Sequence, residues 1–307
     1  MGQSIIKTFD ISKKYGERYA VENISMEIGR GQIYGLIGQN GAGKTTFIRL
    51  LTGLISPTDG GMELFGESGS GLERARSRIG SIVETPSLFP NMTAFCNVEA
   101  QRRLAGLHTM IDTYEILELC GIADTGNKKV RDFSLGMRQR LALAISLLSE
   151  PEFLILDEPI NGLDPKGIVE NREMLKSLAH EKNITILISS HILSELAQLA
   201  TNYGIIHEGR LIKQISAEQL QAECRRYVQI LTDDAARAME ALKTRFSVED
   251  YELVNGGELR VFEQTDKTAE MNRTLVEAGL LVKSIHVTGQ DLESYFIEGI
   301  SGSYGFM

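Results

Sequence analysis

The nine residues GQNGAGKTT at 38–46 constrain this chain more than any other stretch. They follow GQIYGLIG at 31–38, an apolar run that suits a buried strand, and they lead into TTFIRLLTGL, whose apolar residues recur at helical spacing. Gly38, Gly43, Lys44 and Thr45 satisfy G-x-x-x-x-G-K-[ST] in the strand–loop–helix setting that this motif requires. Glycine lets the backbone curl so that N–H groups point inward at phosphate oxygens, and the helix N-terminus adds partial positive charge. Lys44 would reach the β- and γ-phosphates, and the Thr45 hydroxyl would ligate Mg²⁺. The expected nucleotide-binding segment is therefore Gly38, Gln39, Asn40, Gly41, Ala42, Gly43, Lys44, Thr45 and Thr46.

A second motif fits the first. FLILDEP at 153–159 reads as a short buried strand ending in two acids. Asp157 would hold Mg²⁺ beside Thr45, and Glu158 would accept a proton from the attacking water, a role that contributes about 10²–10⁴-fold. Together the motifs point to a nucleoside triphosphatase. A GTPase would need N-K-x-D, but the one Asn-Lys pair, in NKKV at 127–130, has Val130 in place of the acid. The arginine lid of a nucleotide kinase does not stand out either.

The bulk numbers narrow the class further. A length of 307 residues with 42% hydrophobic and 24% charged residues suits about two globular domains. A formal net charge of -9 argues against nucleic-acid binding, which needs clustered Lys and Arg. It leaves room for a phosphate ligand held by backbone N–H groups and one lysine. Cys96, Cys120 and Cys224 have no metal-type spacing and read as free thiols of a reducing cytosol. There is no apolar run of the roughly 18 residues that a bilayer span needs, and MGQSII lacks the basic flank of a signal peptide. A cytoplasmic protein is expected.

Along the chain, IIKTFDISKKYG and ENISMEI read as two strands separated by a turn, and RIGSIVE (78–84) as another strand. From about 91 to 150 the periodicity is helical throughout. A helix over 167–181, the strand ITILISS (184–190), a helix over 192–199 and the strand pair YGIIHEG and RLIKQIS close the first domain at about residue 222. Residues 223–307 then read β-α-β-β-α-β, with a hairpin around Asn255, Gly256 and Gly257 and a last helix over 291–300. That order fits a small ferredoxin-like α+β domain.

The segment FSLGMRQRLALA (133–144) brings a family into view. Its Ser-x-Gly opens a predicted helix ahead of Asp157, and with Tyr15 in KKYGE, NGLDP at 161–165 and His191 in SSHIL it resembles ATP-binding cassette (ABC) proteins over residues 1–220. The resemblance implies an α/β fold, a P-loop NTPase (RecA-like) core with an ABC helical subdomain at about 91–150. It also implies two such domains meeting head to tail around two ATP molecules. Tyr15 would stack on adenine. Ser134, Leu135, Gly136 and Met137 would form the signature turn that meets the γ-phosphate held by the other protomer. Asp164 would carry communication across the dimer, and His191 would contact the γ-phosphate and orient the water or Glu158.

The turn departs from the common Leu-Ser-Gly-Gly-Gln at Phe133, Leu135 and Met137, but it keeps the serine hydroxyl and the uncrowded glycine N–H. Glu84 stands at the hinge where most cassettes carry glutamine. A carboxylate binds Mg²⁺ more strongly than an amide but cannot donate a hydrogen bond. Glu84 is therefore expected beside Thr45 and Asp157 as a metal residue. GSIVETP, FSLGMRQRL, ISSHILSE, GIIHEG and the ending LESYF resemble the branch that exports bacitracin and protects against lantibiotics. The resemblance thus implies an ATPase subunit, peripheral on the inner membrane face through a separately encoded permease. Another cargo (lipid, polysaccharide, heme or ion) and a soluble cassette acting on ribosomes or DNA are the alternatives.

Overall fold

Continuous apolar runs make poor half-exposed strands and good central ones, because a parallel strand is covered on both faces. The computed structural model, which describes residues 4–84, 86–107, 112–254, 257–289 and 295–296, places them so. In the first unit, Met1–Ala217, the strands are β1 (Ser4–Tyr15), β2 (Arg18–Ile24), β3 (Glu27–Gly29), β4 (Ile33–Ile37), β5 (Asp59–Leu64), β6 (Ile79–Ile82), β7 (Phe153–Asp157), β8 (Thr185–Ser190), β9 (Asn202–His207) and β10 (Arg210–Ser216). One sheet has the order β10-β9-β4-β8-β7-β6, parallel except for β10, and every residue of β4, β7 and β8 is buried. The other is antiparallel: β1 pairs with β2, β3 and β5.

Residues 22–28 were expected to form one strand, and the structure splits them into β2 and β3. Thr8 of β1 causes the break. Its hydroxyl donates to Ile24 O and accepts from Met26 N, both at 3.0 Å, so a side chain of β1 occupies the gap in the ladder.

Helix α1 (Lys44–Thr52) packs Phe47, Ile48, Leu50 and Leu51, all fully buried, against a core that includes Leu36, Ile155 and Leu187. Burying one such side chain contributes about 1.5–3 kcal/mol, so the helix is fixed firmly to the sheet. After the short α2 (Leu72–Arg76) come α3 (Ala94–Leu104), α4 (Thr113–Leu119) and α5 (Leu135–Ser146), with no strand among the described residues of 91–150. Each has a side-chain N-cap, Thr93, Asp112 and Ser134 in turn. Helix α6 (Pro165–Glu181) starts two positions ahead of its expected start, with Asp164 as cap and Pro165 in its first turn. Helix α7 (Leu193–Leu196) is only one turn, shorter than the expected 192–199.

The chain divides between Ala217 and Glu218, within α8 (Ala217–Glu223) and a little before the expected 222. The second unit runs β11 (Tyr227–Thr232), α9 (Ala235–Phe246), β12 (Tyr251–Val254), β13 (Glu258–Val261), α10 (Thr268–Glu277) and β14 (Val282–Thr288). Its sheet is antiparallel throughout, in the order β12-β13-β11-β14, and its core joins Val228, Ile230 and Leu259 to Leu242 of α9 and Leu275 of α10. Asn255 and Gly256 of the expected hairpin lie outside the described residues, as does the expected last helix apart from Tyr295 and Phe296. No helix among the described residues is long and apolar enough to cross a membrane.

Candidate functional site

The loop between β4 and α1 is shaped by close packing. Gly43 has φ +107°, and a Cβ there would lie 2.4 Å from Ala20 O; a Cβ on Gly38 would lie 2.5 Å from Ile206 O. Neither position tolerates a side chain. The N–H of Gly209 donates to Ala42 O at 2.9 Å and fastens the loop to the β9–β10 turn.

Lys44, the first residue of α1, is 5% exposed. Its ammonium donates to Gly38 O at 2.7 Å and Gln39 O at 3.3 Å and stands 3.2 Å from Glu158 Oε1. A buried cation must be paired. A lysine held this way at a helix N-terminus is fit to receive a multiply charged anion. Thr45 Oγ1 donates to Asp157 Oδ2 at 2.7 Å. These two hard oxygens beside Lys44 suit a small divalent cation that keeps several of its waters.

Glu158 follows the end of β7 at φ +50°, a left-handed conformation that costs an L-residue about 1–2 kcal/mol. Its two oxygens have different partners: Oε1 faces Lys44, and Oε2 is 2.8 Å from His191 Nδ1. A neutral His191 with its proton on Nδ1 donates to the carboxylate and leaves Nε2 as an acceptor; donating to a phosphate as well requires both nitrogens protonated.

One residue at the centre of this network was not among those expected. Ser189 Oγ donates to Asp157 Oδ1 at 2.5 Å and accepts from Glu158 N at 2.9 Å, so one buried hydroxyl fixes the Asp157 carboxylate and the Glu158 backbone. Its place in SSHIL, two positions before His191, was the available signal.

Tyr15, Asn40, Gly41, Lys44, Thr46 and Glu158 line a cleft of about 710 Å³. The Tyr15 ring is 51% exposed at its mouth, with the Lys13 ammonium 5.4 Å from the ring centroid. The signature turn is elsewhere. Ser134 caps α5 by accepting from Met137 N at 3.3 Å, and Leu135 is 45% exposed. Ser134, Gly136, Met137 and Asp164 line a separate depression of about 360 Å³, where Asp164 Oδ1 accepts from Gly167 N at 3.3 Å.

Of the three residues grouped around a metal, Thr45 and Asp157 meet, whereas the Glu84 carboxylate is bonded to the Arg49 guanidinium. Glu84 also has a left-handed backbone, at φ +61°. It shares a third cleft, of about 630 Å³, with Asp157, Glu158, Leu135 and Gln139. Cys96, Cys120 and Cys224 form no disulfide among the described residues, and burial pushes the Cys120 thiol up to about 12, out of reach of thiolate chemistry at neutral pH.

Comparison with known proteins bears on the whole chain. The ABC transporter family model matches residues 21–161. The chain is 44% identical over 300 residues to the bacitracin transport ATP-binding protein BcrA of Bacillus licheniformis, covering 97% of this chain and 98% of that one. It is 44% identical over 208 residues to the lantibiotic transport ATP-binding protein SrtF of Streptococcus pyogenes, covering 68% of this chain and 89% of that one. Among solved structures, cbiO1 of Clostridium perfringens, part of the ABC transporter complex cbiONQ, superposes with a TM-score of 0.64 at 25% identity, over 80% of this chain and 96% of that one. The dimeric cassette MJ0796 bound to ADP and Pi shares the fold, with a TM-score of 0.62 at 23% identity over 69% of this chain and 98% of its own.

Proposed function

The chain belongs to the ABC transporter family and is an ATP-hydrolysing subunit; from that premise we propose that it energises export of a peptide antibiotic of the bacitracin or lantibiotic type and so confers resistance. The near-full-length likeness to a bacitracin transport ATP-binding protein carries this reading, because it extends through the second unit as well as the cassette. In the proposed assembly two copies form a homodimer on a separately encoded permease at the inner face of the membrane.

Lys44 and the loop N–H groups would bind the β- and γ-phosphates, and Tyr15 would stack on adenine. Mg²⁺ held by Thr45 and Asp157 would neutralise charge on the phosphates. Glu158 would accept the proton of the attacking water through the oxygen nearest His191, and Lys44 would exchange its contact with the other oxygen for the phosphates. Ser189 would keep both acids in register, and the Ser134 turn and Asp164 of the partner protomer would close the site.

Deleting the gene in its own strain tests the cargo. Sensitivity to bacitracin or to a lantibiotic should rise several-fold and be restored by the wild-type gene but not by Glu158→Gln. Unchanged sensitivity to both, with altered handling of a lipid, polysaccharide or ion, would replace the cargo and keep the motor. Co-purification with ribosomes in place of a hydrophobic membrane protein would overturn the transporter reading.

A further inference from the structure

A glutamate at the hinge with a left-handed backbone needs something to hold it there, and the structure supplies a partner. We propose that Arg49 is the positioning residue for Glu84, tying the helix that grips phosphate to the hinge that leads into the helical subdomain. Arg49 lies in the last turn of α1, and its guanidinium is bonded to the Glu84 carboxylate. The first two residues of the same helix are Lys44 and Thr45. A helix of nine residues spans about 13 Å, so one rigid rod has the phosphate contacts at one end and the Glu84 contact at the other.

The rod cannot flex independently, because Phe47, Ile48, Leu50 and Leu51 are sealed in the core and Arg49 O accepts from Ile55 N at 3.3 Å. The anchored rod therefore holds Glu84 at a fixed distance from the phosphate contacts, and Glu84 in turn lines the cleft it shares with Leu135 and Gln139 of α5.

The pairing also explains the residue type. A carboxylate accepts from a guanidinium and answers its charge, whereas an amide oxygen accepts without a charge and its NH₂ group is repelled. Glutamate at 84 and arginine at 49 act as one unit. The link is built to yield, because both side chains are partly exposed, at 34% and 58%. Such a pair biases a hinge without locking it.

Amide hydrogen exchange of the full-length protein, read over residues 79–92, tests the proposal. Arg49→Ala should exchange about fivefold faster there, with β7 and β8 unchanged as the control for global stability. Glu84→Gln should do the same, and the double variant should be no faster than either single one, since both remove a single link. The charge-swapped pair R49E with E84R should return exchange to within about twofold of wild type. In turnover assays Arg49→Ala should lower kcat by a similar factor and leave KM for ATP within about twofold, because the phosphate loop itself is untouched.

Unchanged exchange over 79–92 in both single variants would overturn the proposal, as would additive effects in the double variant or acceleration throughout the fold. Only the kinetic arm rests on the ATPase reading. A chain with no turnover at all would refute that reading, and the exchange arm would still decide the role of Arg49.

Discussion

The lysine loop and the serine turn are built to different standards. At the loop, Lys44 and Asp157 are buried and each polar atom has a partner within the same chain, so the geometry exists before any second copy arrives. At the turn, Ser134 is exposed, its oxygen accepts from Met137 N of its own helix, and Leu135 is half-exposed. The loop is wired internally, and the turn stays open, as the proposed action on a partner's ligand would need. The contrast teaches that a loop variant should damage the site of its own chain and, in the proposed dimer, a turn variant the site of its partner.

The largest expected effect falls on the loop side. Glu158→Gln should lower kcat by about 10²–10⁴-fold, the range for a lost general base, while ATP still binds. A turnover assay beside a nucleotide-binding assay checks this, and an ATP-bound dimer of the variant should accumulate on size exclusion. Next comes a test of the division itself. Lys44→Ala and Ser134→Arg should each abolish turnover alone. Mixed in equal amounts, they should recover about a quarter of wild-type turnover, since random pairing makes half of the dimers mixed and each mixed dimer keeps one intact site of two. No recovery, with dimers present, would place the turn outside the partner's site. Smaller still, Tyr15→Ala should weaken ATP binding by about 1–3 kcal/mol, the usual value of stacking on a base, while Tyr15→Phe keeps it. Equilibrium titration with ATP at low Mg²⁺ separates the two.

The loop half was far more legible than its supports. Gly38, Gly43 and Lys44 announce themselves because they fall in one contiguous motif, with a positive φ at Gly43 and a charge at a helix start, although the backbone that Gly38 approaches, Ile206 O, is distant in sequence. Ser189 does not, because its role depends on the parallel register that sets it opposite Asp157, and register is a property of two strands distant in sequence. Arg49 is hidden for the same reason: a helix-face arginine looks solvated until Glu84 is found beside it. The split of residues 22–28 was illegible because a hydroxyl on β1 makes it. By contrast, the early start of α6 was readable from Asp164 and Pro165, a cap followed by the residue that suits a first helical turn.

The far end of β7 supplies the control for all of these, and the smallest effect. Glu152, just ahead of the strand that ends in Asp157, bonds Arg30 at 2.7 Å and Arg78 at 2.6 Å. Burial pushes its carboxyl up, but the hydrogen bonds from both arginines and their charges more than offset this and hold it below the usual carboxylate range. A carboxyl depressed in the folded state releases its proton more readily there than in the unfolded chain. It therefore adds stability above the unfolded value of about 4.5, and that stability is lost as pH falls through the lower folded value. Because the group is 37% exposed, solvent screening keeps the contribution below about 1 kcal/mol. Glu152→Gln should lower Tm by a few degrees at most at pH 7, and the gap from wild type should close as the buffer is taken down through the folded value, with ATP turnover unaffected throughout. If turnover fell as well, the two ends of β7 would be coupled, and the loop half could no longer be treated as wired by its own contacts alone.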